Sequence, residues 1–141
     1  ISLHDKSGHP VFFDHSMPSH VSKTCLHAIE GVLHYTPECM PLYASNINSY
    51  RRLTAGEFCG HGPSWGFDNR TVTCRVMVGD EESTHLEFRI PGADINPYLA
   101  IAGVLASVRK GISDRREPNQ KVTGDANIQT SQQYPNQSSK Y

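Results

Sequence analysis

Apolar residues are gathered into a few periodic stretches, separated by polar and glycine-bearing segments. Across residues 19–35, Val21, Cys25, Ala28, Ile29 and Val32 recur at helical spacing on one face, which predicts an amphipathic helix. Thr36, Pro37 and Glu38 then offer a cap, an N1 proline and a first-turn acid, and predict a second, short helix. Val72, Cys74, Val76 and Val78 alternate with Thr71, Thr73, Arg75 and Met77, the pattern of a strand. A turn at Gly79-Asp80-Glu81-Glu82 leads to a second strand, with Leu86, Phe88 and Ile90 alternating with His85, Glu87 and Arg89. The two strands are expected to pair antiparallel. Val11-Phe12-Phe13, beside Gly8 and Pro10, reads as a short strand end. Asn96 caps and Pro97 opens a last helix, and Arg109, Lys110 and Gly111 mark its expected end. Apolar residues occupy most of that helix's circumference, which predicts deep burial. Residues 45–70 read as one long loop.

The apolar pattern runs out near residue 112, and this divides the chain in two. Residues 1–112 are the folded part. Residues 113–141 are polar, with Val122, Ile128 and two tyrosines as their only sizeable apolar groups. Such a tail cannot offset its ordering entropy alone, so it is expected to be flexible or docked.

Charge excludes several classes. The 141 residues carry 13 basic and 14 acidic side chains, a net of -1. That balance argues against a nucleic-acid binder and supplies no polybasic membrane patch. No apolar run approaches the roughly 20 residues that span a bilayer. The chain opens at Ile1 with neither an initiator Met nor a signal-peptide pattern, so it is expected to be a segment cut from a longer cytoplasmic protein. Its four cysteines form no C-x-x-C pair and are expected to be free thiols in a reducing compartment.

Three constellations could carry chemistry. On the second strand His85, Glu87 and Arg89 share one face, with Glu87 and Arg89 about 6.8 Å apart along it. A carboxylate beside a guanidinium can set a metal ligand next to an anion clamp; a solvated charged face has the same pattern. Arg51, Arg52, Arg70 and Arg75 concentrate guanidinium forks that suit carboxylates and phosphates. The third is His20, His27 and His34, spaced every seven residues on the expected first helix. Neighbours there stand about 10.5 Å apart along the axis, too far to share one ion.

The blocks N-S-Y-R-R-L (48–53), W-G-F-D-N-R-T (65–71) and H-L-E-F-R-I-P-G-A-D-I-N-P-Y-L-A-I-A (85–102) resemble, in order and spacing, the glutamine synthetase family. The resemblance covers residues 1–112. It implies an α+β fold, a curved antiparallel sheet backed by helices, belonging to the C-terminal part of that family's catalytic domain. It also implies ATP-dependent phosphorylation of the glutamate side chain, followed by displacement of phosphate by ammonia or a larger amine. ATP and Mg2+ or Mn2+ are the implied cofactors, and a homo-oligomer with active sites between subunits is the implied assembly.

By the match, Glu87 resembles a metal ligand, and Arg89 and Arg52 resemble substrate-side arginines. Arg70 and Arg75 resemble the pair facing phosphate and nucleotide, and Ser2 a nucleotide-side serine. The sequence departs from the family in three places. The family's H-x-H segment and the glutamates that complete its metal sites would lie before Ile1. Phe58 stands where the family commonly has an ammonium-handling glutamate, which is similar to relatives that use larger amines. The stretch beyond residue 112 follows the family only loosely. The alternative reading is a non-catalytic scaffold or binding module that keeps the fold without the chemistry.

Overall fold

The computed structural model describes residues 1–53, 60 and 62–128. Its elements are α1 (Lys23–Tyr43), α2 (Ile47–Arg51), β1 (Trp65–Phe67), β2 (Cys74–Met77), β3 (His85–Phe88) and α3 (Pro97–Ser113). The architecture is α+β, as expected: a three-stranded sheet in the order β1-β2-β3, with α1 packed on α3 and against β2. β2 and β3 pair antiparallel, with Cys74 opposite Phe88 and Arg75 opposite Glu87. β1 runs parallel to β2, so the sheet is mixed.

α1 starts at Lys23, four residues later than its apolar pattern suggests. Val21 is bridged to Phe13 in extended conformation and His20 sits at φ 55, so no helix can begin there. Ser22 becomes the cap, its hydroxyl accepting from the Cys25 amide at 3.1 Å. His20 therefore lies outside the helix, stacked on Phe13, and His27 is covered by Glu117 at 3.1 Å. The three histidines do not form one exposed row.

The expected break at Thr36 does not occur. α1 runs on through Pro37 and Pro41. Thr36 is fully buried, and its hydroxyl donates to the Val32 carbonyl at 2.6 Å instead of capping a new helix. What carries the helix past two missing N–H donors is packing: Met40, Tyr43 and Ala44 are buried with Ile90 and Ala100 in one apolar cluster. The main cluster gathers Phe12, Cys25, Ile29, Val32, Trp65, Cys74, Val76, Leu86 and Val108 between α1, α3 and the sheet.

α3 begins as predicted. Asn96 accepts from the amides of Tyr98 at 3.0 Å and Leu99 at 3.3 Å, with Pro97 in the first turn. It ends at Ser113 rather than at Gly111. Gly111 is a packing residue: a Cβ there would lie 2.7 Å from the Gly31 nitrogen, so the glycine pair lets α1 and α3 cross backbone to backbone. Nor is α3 deeply buried all round, since Tyr98, Leu99, Ile101 and Leu105 are exposed. The described part of the segment 45–70 is less irregular than expected. Asn46 caps α2, accepting from Asn48 at 2.8 Å and Ser49 at 3.2 Å, and β1 is too short to show a period.

Residues 114–128 lie against β1 and α1. The Trp65 indole donates to the Asn119 carbonyl at 2.6 Å, the Val122 amide donates to the Trp65 carbonyl at 2.8 Å, and Ala126 is buried. Cys25, Cys39 and Cys74 are free thiols, and burial pushes the Cys74 thiol up to about 12. Among the described residues no helix is long and apolar enough to cross a membrane.

Candidate active site

β3 and the start of α3 enclose a trough of about 780 Å³. Ser2, Arg52, Glu87, Arg89, Ile101 and Leu105 are among its lining residues. The Ile1 amine and carbonyl exchange hydrogen bonds with Leu86, at 2.6 and 2.9 Å, which lays the first residues along β3 and brings Ser2 to the trough.

Alternation along β3 buries Leu86 in the core and turns His85, Glu87 and Arg89 to the other face, and all five residues from His85 to Arg89 contribute to the lining of the trough. The register places Arg75 of β2 directly across from Glu87, on the same face. The Glu87 Oε2 atom consequently accepts from two guanidinium groups, Arg75 Nη1 at 3.0 Å and Arg89 Nη1 at 3.2 Å. Partial burial pushes the Glu87 carboxyl up, but the Arg75 hydrogen bond and the charges of Arg75 and Arg89 outweigh it. The net effect holds the group below the ordinary glutamate range. Arg75 is itself buried and also donates through Nη2 to Asp68. That bond comes first among the causes that raise its pKa above the usual arginine value.

Arg52 meets the end of β3 from the other side. Its Nη1 donates to the Arg89 carbonyl at 3.3 Å and its Nη2 to the Ile90 carbonyl. The loop after β3 is stitched to α2 a second time at Asp94, whose carboxylate accepts from Ser49 Oγ at 2.8 Å and from Asn46 Nδ2.

The structure thus brings Ser2, Arg52, Glu87 and Arg89 to one trough, with Arg75 held behind Glu87. Arg70 is exposed on the turn between β1 and β2 and does not line the trough. Phe58 lies outside the described residues. Two acids in this network, Asp68 and Asp94, were not singled out from sequence. Both sit in turns, where no periodicity relates an acid to its partner.

The residues present can be tested against the implied cofactors. Glu87 is a hard oxygen donor of the kind Mg2+ and Mn2+ prefer. Among the described residues no group of three or more His, Cys, Asp or Glu could hold a metal ion, so Glu87 fits as one ligand of a site and not as a whole site. The buried Nε of Arg75 has no hydrogen-bond partner among the described residues, which suits it to an additional acceptor such as a phosphate oxygen.

Comparison with known proteins supplies a context for this geometry. A family model for the glutamine synthetase catalytic domain matches residues 1–139. Glutamate–isopropylamine ligase from a Pseudomonas species is 39% identical over 126 residues, covering 89% of this chain and 28% of that protein. Type-1 glutamine synthetase 2 from Dictyostelium discoideum is 40% identical over 116 residues, covering 82% of this chain and 22% of that protein. The solved structure of ligand-free GmaS superposes with a TM-score of 0.76 at 26% identity, covering 91% of this chain and 28% of the other. The chain therefore spans between a fifth and a third of the length of these relatives.

Proposed function

The chain belongs to the glutamine synthetase family, and on that footing we propose that it forms one wall of the active site of an ATP-dependent ligase joining glutamate to an amine. In this reading ATP phosphorylates the glutamate side-chain carboxylate, and ammonia or a larger amine then displaces phosphate. The observation that carries the reading is Glu87, held between Arg75 and Arg89 on the wall of a trough that Arg52 and Ser2 also line.

A bound Mg2+ or Mn2+ would neutralise phosphate oxygens and the charge that develops during transfer. Glu87 would be one of its ligands, the others coming from outside the described residues. Arg89 reaches for the substrate carboxylate as a fork of parallel donors. Arg52, bonded to the carbonyls of Arg89 and Ile90, holds the end of β3 in place and fixes the direction of Arg89. Arg75 keeps Glu87 ionised and offers its unpartnered Nε to a phosphate oxygen; Arg70 stands on the β1–β2 turn outside the trough, so its assignment to the same charge rests on the family resemblance and not on the geometry, and Ser2 faces the nucleotide. The working enzyme in this reading is a cytoplasmic homo-oligomer with active sites between subunits.

Phe58 sets the amine. A glutamate in an amine pocket attracts ammonium and takes its proton, whereas phenylalanine does neither and offers an apolar wall. The expected preference is for an amine bearing carbon over free ammonia. The test is phosphate release by the full-length protein with glutamate, ATP, Mg2+ and a panel of ammonia, alkylamines, arylamines and polyamines. The reading requires phosphate release that depends on both glutamate and an amine. A Phe58→Glu variant is expected to shift catalytic efficiency toward ammonia by about tenfold or more. Phosphate release that ignores glutamate refutes the ligase reading, and ammonia as the best substrate of the unaltered protein refutes the larger-amine reading.

A further inference from the structure

Arg75 has a second carboxylate partner outside the trough. Asp68 follows β1 directly, at φ 45, and its amide donates to the Val76 carbonyl at 2.9 Å, one residue along β2 from Arg75. Its carboxylate takes Nη2 of Arg75 while Nη1 goes to Glu87, so two different nitrogens pin the guanidinium plane. The Arg75 side chain is only 11% exposed and that of Asp68 is 74% exposed, so a surface acid anchors a buried arginine. The left-handed backbone at this position suits glycine, asparagine and aspartate, and of the three only aspartate carries charge.

The charges explain why that matters. Without Asp68, Glu87 would face the two guanidinium groups of Arg75 and Arg89 alone, and a cation approaching Glu87 would have to compete with both. With Asp68 in place, the charge of Arg75 is shared between two carboxylates and its position is fixed from behind. Resting on the ligase reading above, we propose that Asp68 is a positioning residue that anchors Arg75, leaving the trough side of Glu87 open to a divalent cation.

The experiment is Mn2+ binding to the full-length protein, read as free Mn2+ by electron paramagnetic resonance in the absence of turnover. The proteins compared are the unaltered enzyme, Glu87→Gln, Asp68→Asn, Arg75→Gln and the double variant Asp68→Asn/Arg75→Gln. Asparagine accepts the same φ, so the turn is kept while the charge goes. Asp68→Asn is expected to weaken Mn2+ binding about tenfold. In the Arg75→Gln background the same change is expected to shift binding by less than about twofold, because its target is gone. Asp68→Gly, which also tolerates the backbone, must reproduce the loss. An equal effect in both backgrounds, no effect of Asp68→Asn, or normal binding by Asp68→Gly overturns the proposal, while weak binding by Glu87→Gln would still support Glu87 as a ligand. If Glu87→Gln binds Mn2+ as tightly as the unaltered protein, the assignment of Glu87 fails and the role of Asp68 fails with it.

Discussion

Arg75 owes its contact with Glu87 to one line of strand register, Arg75 opposite Glu87. Side-chain alternation in the sequence placed Glu87 and Arg89 on one face, and it put Arg75 on the polar face of its own strand. What alternation cannot give is the turn residue that reaches back to a strand. Asp68 meets Arg75 seven positions away, and Asp94 meets Asn46 and Ser49 from 48 and 45 positions away. The Asp94 contact has a pH signature. Its carboxyl lies below the ordinary aspartate range, first through the Ser49 hydrogen bond, with Asn46 and the Arg52 charge adding to it. A carboxyl whose pKa is lowered by folding stabilises at neutral pH, and that contribution is lost as pH falls through the folded value. On acid titration below about pH 4, the Ser49 and Asn46 NMR signals are expected to shift while those of the core residues Val32 and Val108 hold. Asp94→Asn should abolish that step. Signals of α2 that stay fixed until the whole chain unfolds would contradict the contact.

At the scale of elements, local rules succeeded where local chemistry decides and failed where packing decides. Asn96-Pro97 sets the start of α3 by capping, and the structure agrees. Thr36-Pro37-Glu38 has the same kind of signature, yet α1 continues through it because Met40, Tyr43 and Ala44 are buried beyond it. Gly111 has the composition of a helix end, but its lack of a side chain serves the crossing with Gly31. The parallel pairing of β1 was illegible, since three residues carry no period. The crossing supplies a prediction. Gly111→Ala gains up to about 1 kcal/mol of helix propensity. The new Cβ meets backbone at 2.7 Å from the Gly31 nitrogen, and overpacking of that kind costs about 1–3 kcal/mol. The net expectation is destabilisation of about 1–2 kcal/mol, read as a lower midpoint in urea unfolding. An unchanged or raised midpoint would mean that α1 and α3 do not approach as closely as described.

For the whole molecule, the exposed side of α3 is the clearest mark of a larger context. Tyr98 is 85% exposed, and Leu99, Ile101 and Leu105 are about half exposed, the last two on the trough itself. Sequence alone read this helix as buried all round, and an apolar face of this kind is uncommon on a complete monomer surface. It agrees with a chain that spans only 28% and 22% of the two relatives described above. It also agrees with the absence, among the described residues, of any group of three or more His, Cys, Asp or Glu that could hold a metal ion. The central claim is that Glu87 serves the reaction while Leu86 and the buried part of Phe88 serve the core. The most direct measurement is turnover per folded molecule of the full-length protein, compared with its Glu87→Gln variant at matched thermal stability. The account predicts a loss of more than about 100-fold with the midpoint of unfolding nearly unchanged; turnover within a few-fold of the unaltered enzyme, or a variant that loses stability but not activity, would contradict it.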